Sequence, residues 1–267
     1  MKKILRYTIP TIVFIFFLFV SPSQAATYTV TKTADTNDGT CDSDCSLREA
    51  VAISNSNPGA DTIEFNIPKS DVNWDTELYP NAFRIHTTIS TYSLNDTVYI
   101  NGKSQTLFTG DTNIRIIEPI SLLLVSNCTR GPEIIITANI GARAVFNINA
   151  PNIKVEGIGV YDLSLDHRRA FSIYEPGTDF TLLDSDLIRN LQGGINVNSG
   201  VATRMRIENN VFRENETVYG RDVIEDPFRN SVIKSNEFVN NGAHAIAMWI
   251  TIADPGTSII EGNLFKT

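Results

Sequence analysis

Apolar and polar residues alternate in short runs along most of the chain. In "TYTVTKTAD" (27–35), Tyr28 and Val30 share one face, as in a half-buried strand. Only one stretch has a clear helical period. In "SLREAVAISNSNPGAD" (46–61), Leu47, Ala50, Val51 and Ser54 fall on one side. Ser46 and Glu49 stand three apart, the spacing of a capping box, and Asn57-Pro58-Gly59 supplies the stop. "DTIEFNIP" (61–68) then returns to alternation, with Ile63, Phe65 and Ile67 facing one way. Beyond it helical periodicity almost vanishes. Strand-like runs follow, separated by Gly, Asn, Asp and Pro: "AFRIHTT", "DTVYINGKSQ", "NIRIIEP", "PEIIITA", "AVFNIN" and "NIKVEGIGV". The pattern predicts an all-β fold.

A repeat selects among all-β architectures. "RMRIENNVFREN" (204–215) returns as "NSVIKSNEFVNN" (230–241) and "TSIIEGNLF" (257–265). Extended upstream, one apolar column reads Val155, Leu183, Ile207, Ile233, Ile260, with steps of 28, 24, 26 and 27 residues. A second reads Val160, Ile188, Phe212, Phe238, Phe265. Between them lie Ile158, Asp186, Asn210, Asn236 and Asn263. A period in the mid-twenties with apolar columns and an Asn column predicts a parallel β-helix, in which equivalent positions stack about 4.8 Å apart. Asn at a turn can bond the Asn above and below and tolerates left-handed φ. Ile207 and Phe212 are expected inside, Glu208 and Arg213 outside. Further strands are expected at "GGINV" (193–197) and "HAIAM" (244–248).

The first residues stand apart from this pattern. Lys2, Lys3 and Arg6 precede an apolar run, Ile12 to Val20, that is shorter than the roughly 20 residues of a membrane span. With small residues around Ala25, residues 1–25 read as a signal peptide, with an uncleaved anchor as the alternative. No other segment is apolar enough to cross a membrane. Removing Lys2, Lys3 and Arg6 leaves 19 Lys plus Arg against 30 Asp plus Glu, a net charge of −11. That argues against nucleic acid and anionic membranes as partners. It permits neutral glycans, a cationic surface or a bound divalent cation. The chain is expected to be secreted or at the cell surface, where Cys41 and Cys45 in "CDSDC" can bridge across one turn. So short a loop contributes roughly 2 kcal/mol at most. Cys128 is left over, as a buried thiol or an intermolecular partner.

Residues 28–68 include "CSLREA" (45–50) and "PGADTI" (58–63) after a Thr/Val strand and an Asp-rich loop. This segment resembles the CSLREA-type N-terminal region of secreted bacterial and archaeal proteins. "DTVYINGKSQ" and "NIKVEGIGV" resemble the first coils of the right-handed parallel β-helix of the pectin-lyase-like superfamily. The resemblance implies that fold and an exported location, but no single reaction, because the fold hosts lyases, hydrolases, adhesins and spacers. The domains are then the signal peptide (1–25), an N-terminal cap (26–68) and the β-helix (69–267). The helix from Ser46 would cover the first coil, with Leu47 and Val51 closing the bore.

Two sets of residues are candidates for chemistry. Glu156, Asp184, Glu208, Lys234 and Glu261 share one outward column, with Asp186 two places beyond Asp184. By the resemblance, acids on adjacent coils hold Ca²⁺ in lyases of this fold, and the ion bridges to a uronate. Asp184, Asp186 and Glu208 are the metal and catalytic candidates, and a solvated charged face is the plain alternative. Inverting hydrolases instead hold two carboxylates about 6.5 to 9.5 Å apart. The second set is Arg189 and Arg213, on adjacent coils, able to bind a sugar carboxylate or serve as a lyase base. Salt bridges to the acids are the alternative. The Gly-His-Gly of polygalacturonase-like enzymes has only "GAH" (242–244) as a counterpart, which weakens the hydrolase reading. "DTNDGTCDSDC" (35–45) loosely resembles an EF-hand loop, but its glycine falls one place early and strands flank it. A loop pinned by the disulfide is the better reading.

The expected molecule is therefore a carbohydrate-binding or adhesin-like β-helix scaffold without a complete catalytic set. A polysaccharide lyase or glycoside hydrolase acting on an extracellular glycan is the alternative. The sequence stops at "SIIEGNLFKT", within a coil, so the end reads as uncapped. A shortened chain, a covering partner or end-to-end self-association is expected there, through Ile260 and Phe265.

Overall fold

The computed structural model describes residues 24–87, 91–113, 131–139, 144–163, 169–198, 204–215, 222–225, 230–242, 244–247 and 257–266. The expected signal peptide, except Gln24 and Ala25, lies outside these residues, as do Cys128 and most of "NIRIIEP". Among the described residues no helix is long and apolar enough to cross a membrane.

The chain is a parallel β-helix. Three sheets of eight, eight and six strands run along its length. Between the first and last described coils, each coil lays one strand in each sheet in turn. Thr181–Leu183 enters the first sheet, Asp186–Ile188 the second and Ile195–Val197 the third. Each strand then pairs in parallel with its equivalents one coil before and one coil after. The exception is a short antiparallel pair, Trp74–Thr76 with Tyr79–Thr87, at one edge of the second sheet. "RMRIENNVFREN" holds two strands, Arg206–Glu208 of the first sheet and Val211–Arg213 of the second, joined at a corner.

The bore is filled by the apolar columns. Ile207 and Phe212 are fully buried, and Phe212 stacks on Phe238 at 4.8 Å between ring centroids. Phe238 stacks in turn on Phe265 at 5.0 Å. A second aromatic ladder, Tyr92–Phe146–Phe171, lines the third sheet. Each buried ring contributes about 1.5–3 kcal/mol. Asparagines hold the corners. The Asn210 amide donates to Leu182 O and to Asn236 Oδ1, both at 3.0 Å, and its Oδ1 accepts from Ser185 N at 2.9 Å. Asn236 and Asn263 continue the ladder. A second ladder, Asn190, Asn215 and Asn241, runs beside the corner between the second and third sheets. In the first ladder the left-handed residue is the one before the Asn: Asn209, Ser235 and Gly262.

Two expectations are corrected. Leu182, not Leu183, pairs with Val155 and Ile207, and Leu187, not Ile188, pairs with Val160 and Phe212. The true steps are 27, 25, 26 and 27 residues. "LLDSDLI" has an apolar neighbour beside each true core position, and Ser185 replaces the guiding Asn, so two frames looked alike. The expected strand "DTVYINGKSQ" ends at Asn101, and Lys103–Thr109 is a short helix. Its Gln105 is fully buried. The Gln105 side chain accepts from Ile67 N at 2.8 Å and donates to Ile67 O at 2.9 Å, in place of a strand partner.

The expected capping helix is Leu47–Ser54, with both halves of the Ser46–Glu49 capping box formed. Leu47, Ala50 and Val51 belong to the main core. Arg48 forks onto Asp35 at 2.9 and 2.8 Å and lies over the Tyr92 ring, and the Tyr92 hydroxyl donates to the same carboxylate. Glu49 reaches the acidic loop through Asp38 N at 3.1 Å. Every residue of "SLREA" thus has a structural task. Cys41 and Cys45 are joined, with their Cα atoms 4.5 Å apart. Ile259, Ile260 and Phe265 in the last described coil are 46 to 55% exposed.

Candidate functional site

The outer face of the second sheet differs from an ordinary solvated sheet. Successive coils place Ile135, Gly159, Asp186 and Val211 in one outward row. Thr137, Tyr161, Ile188 and Arg213 form the next. Ile135, Tyr161, Ile188 and Val211 join Tyr79 and Ala82 in a second apolar cluster, separate from the bore. Gly159 is needed here. A Cβ at that position would stand 2.9 Å from the Tyr161 ring, so only glycine lets the ring fold back over the strand. Tyr79 and Tyr161 meet with ring centroids 5.9 Å apart.

Charged residues form the rim. Asp162, Arg189 and Glu214 occupy the same corner on three successive coils, each with left-handed φ of 56°, 54° and 51°. Arg189 donates Nε and Nη2 to Asp162 at 2.5 and 2.9 Å, and the Tyr79 hydroxyl donates to the same carboxylate at 2.5 Å. Burial, then the Asp162 carboxylate, pushes the Tyr79 phenol far above its ordinary range. The hydrogen bond to Asp162 raises the Arg189 guanidinium. Arg213 donates Nε to Glu214 at 2.9 Å. Glu133 fixes the far wall by accepting from Thr112 N, Thr112 Oγ1 and Asn113 N. Burial raises its carboxyl against the pull of those bonds. Together Tyr79, Asn113, Ile135, Tyr161, Ile188, Arg189, Arg213 and Glu214 line a small, partly enclosed groove.

The expected site residues divide between two faces. Arg189 and Arg213 meet at this groove. Asp186 lies fully buried beneath it, with the Tyr161 hydroxyl 3.3 Å from Oδ2. Asp184 and Glu208 belong to the other side. Leu183, not Asp184, pairs with Glu208, so the expected acid column keeps Glu156, Glu208, Lys234 and Glu261 but not Asp184. Asp184 sits at the corner with φ of 47° and bonds Lys103. Glu208 bonds Arg206 at 2.8 Å. Asp184, Asp186 and Glu208 therefore do not share one cation site. Among the described residues no group of three or more His, Cys, Asp or Glu is placed to hold a metal.

Two other groups of acids have structural partners. Glu156 accepts from Lys103, Lys154 and Tyr99 at 2.6 to 2.8 Å. Burial would raise its carboxyl, but these three donors outweigh it and hold the group at about 2. In the loop from Asp35 to Cys45 the carboxylates turn away from a common centre. Asp38 accepts from Thr40, Asp42 from Asp44 N, and Asp35 from Arg48.

The sequence missed Tyr79, Tyr161, Asp162 and Asn113. The Tyr161-Asp162 pair directly follows the recognised "NIKVEGIGV", and the glycine before a valine and tyrosine was the available signal. Tyr79 carried none, because it reaches Asp162 from 83 residues away. The fold and groove define a parallel β-helix with a polar, aromatic-floored face. No protein-family model, curated protein or solved structure matches the chain.

Proposed function

We propose that this is an exported β-helix of the CSLREA type, related to the pectin-lyase-like superfamily, that binds an extracellular glycan along the outer face of its second sheet. The groove lined by Tyr161, Arg189, Arg213, Glu214 and Asn113 carries the reading. Sugar sites combine planar polar groups, which bond hydroxyls at fixed angles, with apolar surface for C–H faces. Here both are held rigidly. Tyr161 is fixed over Gly159, and Arg189 is fixed by Asp162. The fully ion-paired rim suits binding better than turnover. The "CSLREA" residues support the relationship, since Leu47 and Ala50 pack into the core, Ser46 and Glu49 form the capping box, and Cys45 is joined to Cys41. The signal-like residues 1–25 support export.

One observation favours a catalytic alternative. Asp186 is buried against the Tyr161 hydroxyl at the groove floor, a setting in which a lyase or hydrolase could use a carboxyl. One experiment addresses both readings. The purified protein is screened against neutral glycans and polyuronates, with and without calcium, for binding and for product release. Binding without product is the expected result. Arg213→Ala should weaken it at least about tenfold while the melting temperature stays unchanged. Product release abolished by Asp186→Asn would establish the enzyme instead. No binding to any glycan would remove the proposal.

A further inference from the structure

We infer that the groove selects neutral glycans over uronate-bearing ones, because both guanidiniums that line it are already matched by carboxylates in direct contact. The inference rests on the glycan-binding reading above and adds the substrate class.

Among the described groove-lining residues only Arg189 and Arg213 are cationic. Arg189 is bound by Asp162 through two hydrogen bonds, and Arg213 by Glu214 through one. The rim therefore sums to zero charge. Arg84 stands beside Ile135 in the same outward row but outside the groove lining, its guanidinium 5.9 Å from the Tyr79 ring centroid and its Nε on Thr137. A sugar carboxylate would have to displace Asp162 or Glu214 from its arginine, or sit as a third anion beside them. Either outcome is costly where burial weakens solvent screening. A hydroxyl meets no such conflict. It donates to a carboxylate lone pair while it accepts from a guanidinium N–H. Asp162, Arg189 and Glu214 recur at one corner on successive coils whose backbones lie about 4.8 Å apart, so carboxylate and guanidinium groups alternate along the groove edge. A row of alternating acceptors and donors suits the hydroxyls of a polyol, not the single charge of a uronate.

The test is calorimetric titration of the full chain with cellohexaose, mannohexaose and xylohexaose, against hexagalacturonate and hexamannuronate, at about 20 mM and about 500 mM salt. At least one neutral hexasaccharide should bind at least about tenfold more tightly than either uronate. Its Kd should change less than about twofold with salt, since no net charge is neutralised. Glu214→Gln keeps the shape and gives the rim one net positive charge. It should strengthen hexagalacturonate binding at least about fivefold at low salt, and that gain should disappear at high salt. Tighter uronate binding by the wild type, or no gain from Glu214→Gln, would overturn the inference and leave glycan binding intact. Failure of all five sugars to bind would remove the glycan reading and this inference with it.

Discussion

Asn210 holds its corner through three side-chain hydrogen bonds. Its side chain satisfies Ser185 N and Leu182 O on one coil and meets Asn236 on the next. It is 1% exposed, so water cannot replace a lost partner. Asn210→Leu strands two backbone groups and should cost about 2–6 kcal/mol, since each unmet buried group costs about 1–3. Asn210→Ser should cost less than half as much. Ser185 already fills the equivalent place one coil earlier, where its hydroxyl accepts from Ile158 N at 3.2 Å and donates to Leu183 O at 2.8 Å. Urea unfolding of the two variants checks the order. Equal losses would mean that the ladder is ornamental.

At the scale of the element, the cap and the 182–188 coil teach opposite lessons. The cap helix was legible because its signals are local: a capping box at its start, an apolar face and a Pro-Gly stop. Arg48 was not, because its partners Asp35 and Tyr92 lie in other segments. Arg48 and Asp35 side chains are only 11 and 6% exposed, so removing the cation leaves a buried charge unpaired. Arg48→Ala should cost about 3–5 kcal/mol. Arg48→Lys should recover only part of that, because an ammonium cannot fork onto the carboxylate. Denaturant melts would show it, and full recovery by Lys would contradict the bidentate role. The coil from Leu182 failed in the sequence because doubled apolar residues permit two frames, and a frame error of one turns every side chain over. The helix Lys103–Thr109 was hidden for another reason. Leu107 and Phe108 are exposed, so the apolar stripe that marks a helix is missing.

For the whole molecule, repeat spacing made the solenoid readable and left its outer faces unread. Columns report which residues point in. They do not report that Tyr79 folds back onto the second sheet, or that Asp184 turns to Lys103 while Asp186 goes under the groove. The two arginines were found through the mistaken frame that set Arg189 level with Arg213, whereas Arg213 pairs with Ile188 and Arg189 shares its corner with Asp162 and Glu214. Charge networks on the first sheet also couple the coils to pH. Glu156 is held at about 2 by Lys103, Lys154 and Tyr99, below its unfolded value of about 4.3. A lowered carboxyl stabilises the fold above the unfolded value, and that contribution is lost as pH falls from about 4.3 towards 2. Thermal melts should therefore decline over this window in the wild type and decline less in Glu156→Gln. An equal decline in both would place the acid sensitivity elsewhere.

The most direct test of the central claim is hydrogen exchange read by mass spectrometry, with and without a saturating neutral hexasaccharide. The expected result is added protection in peptides spanning Asp186–Arg189 and Val211–Glu214, with the first-sheet strands Val232–Lys234 and Ile259–Glu261 unchanged. Protection confined to the first sheet, or none at saturation, would contradict glycan binding on the second.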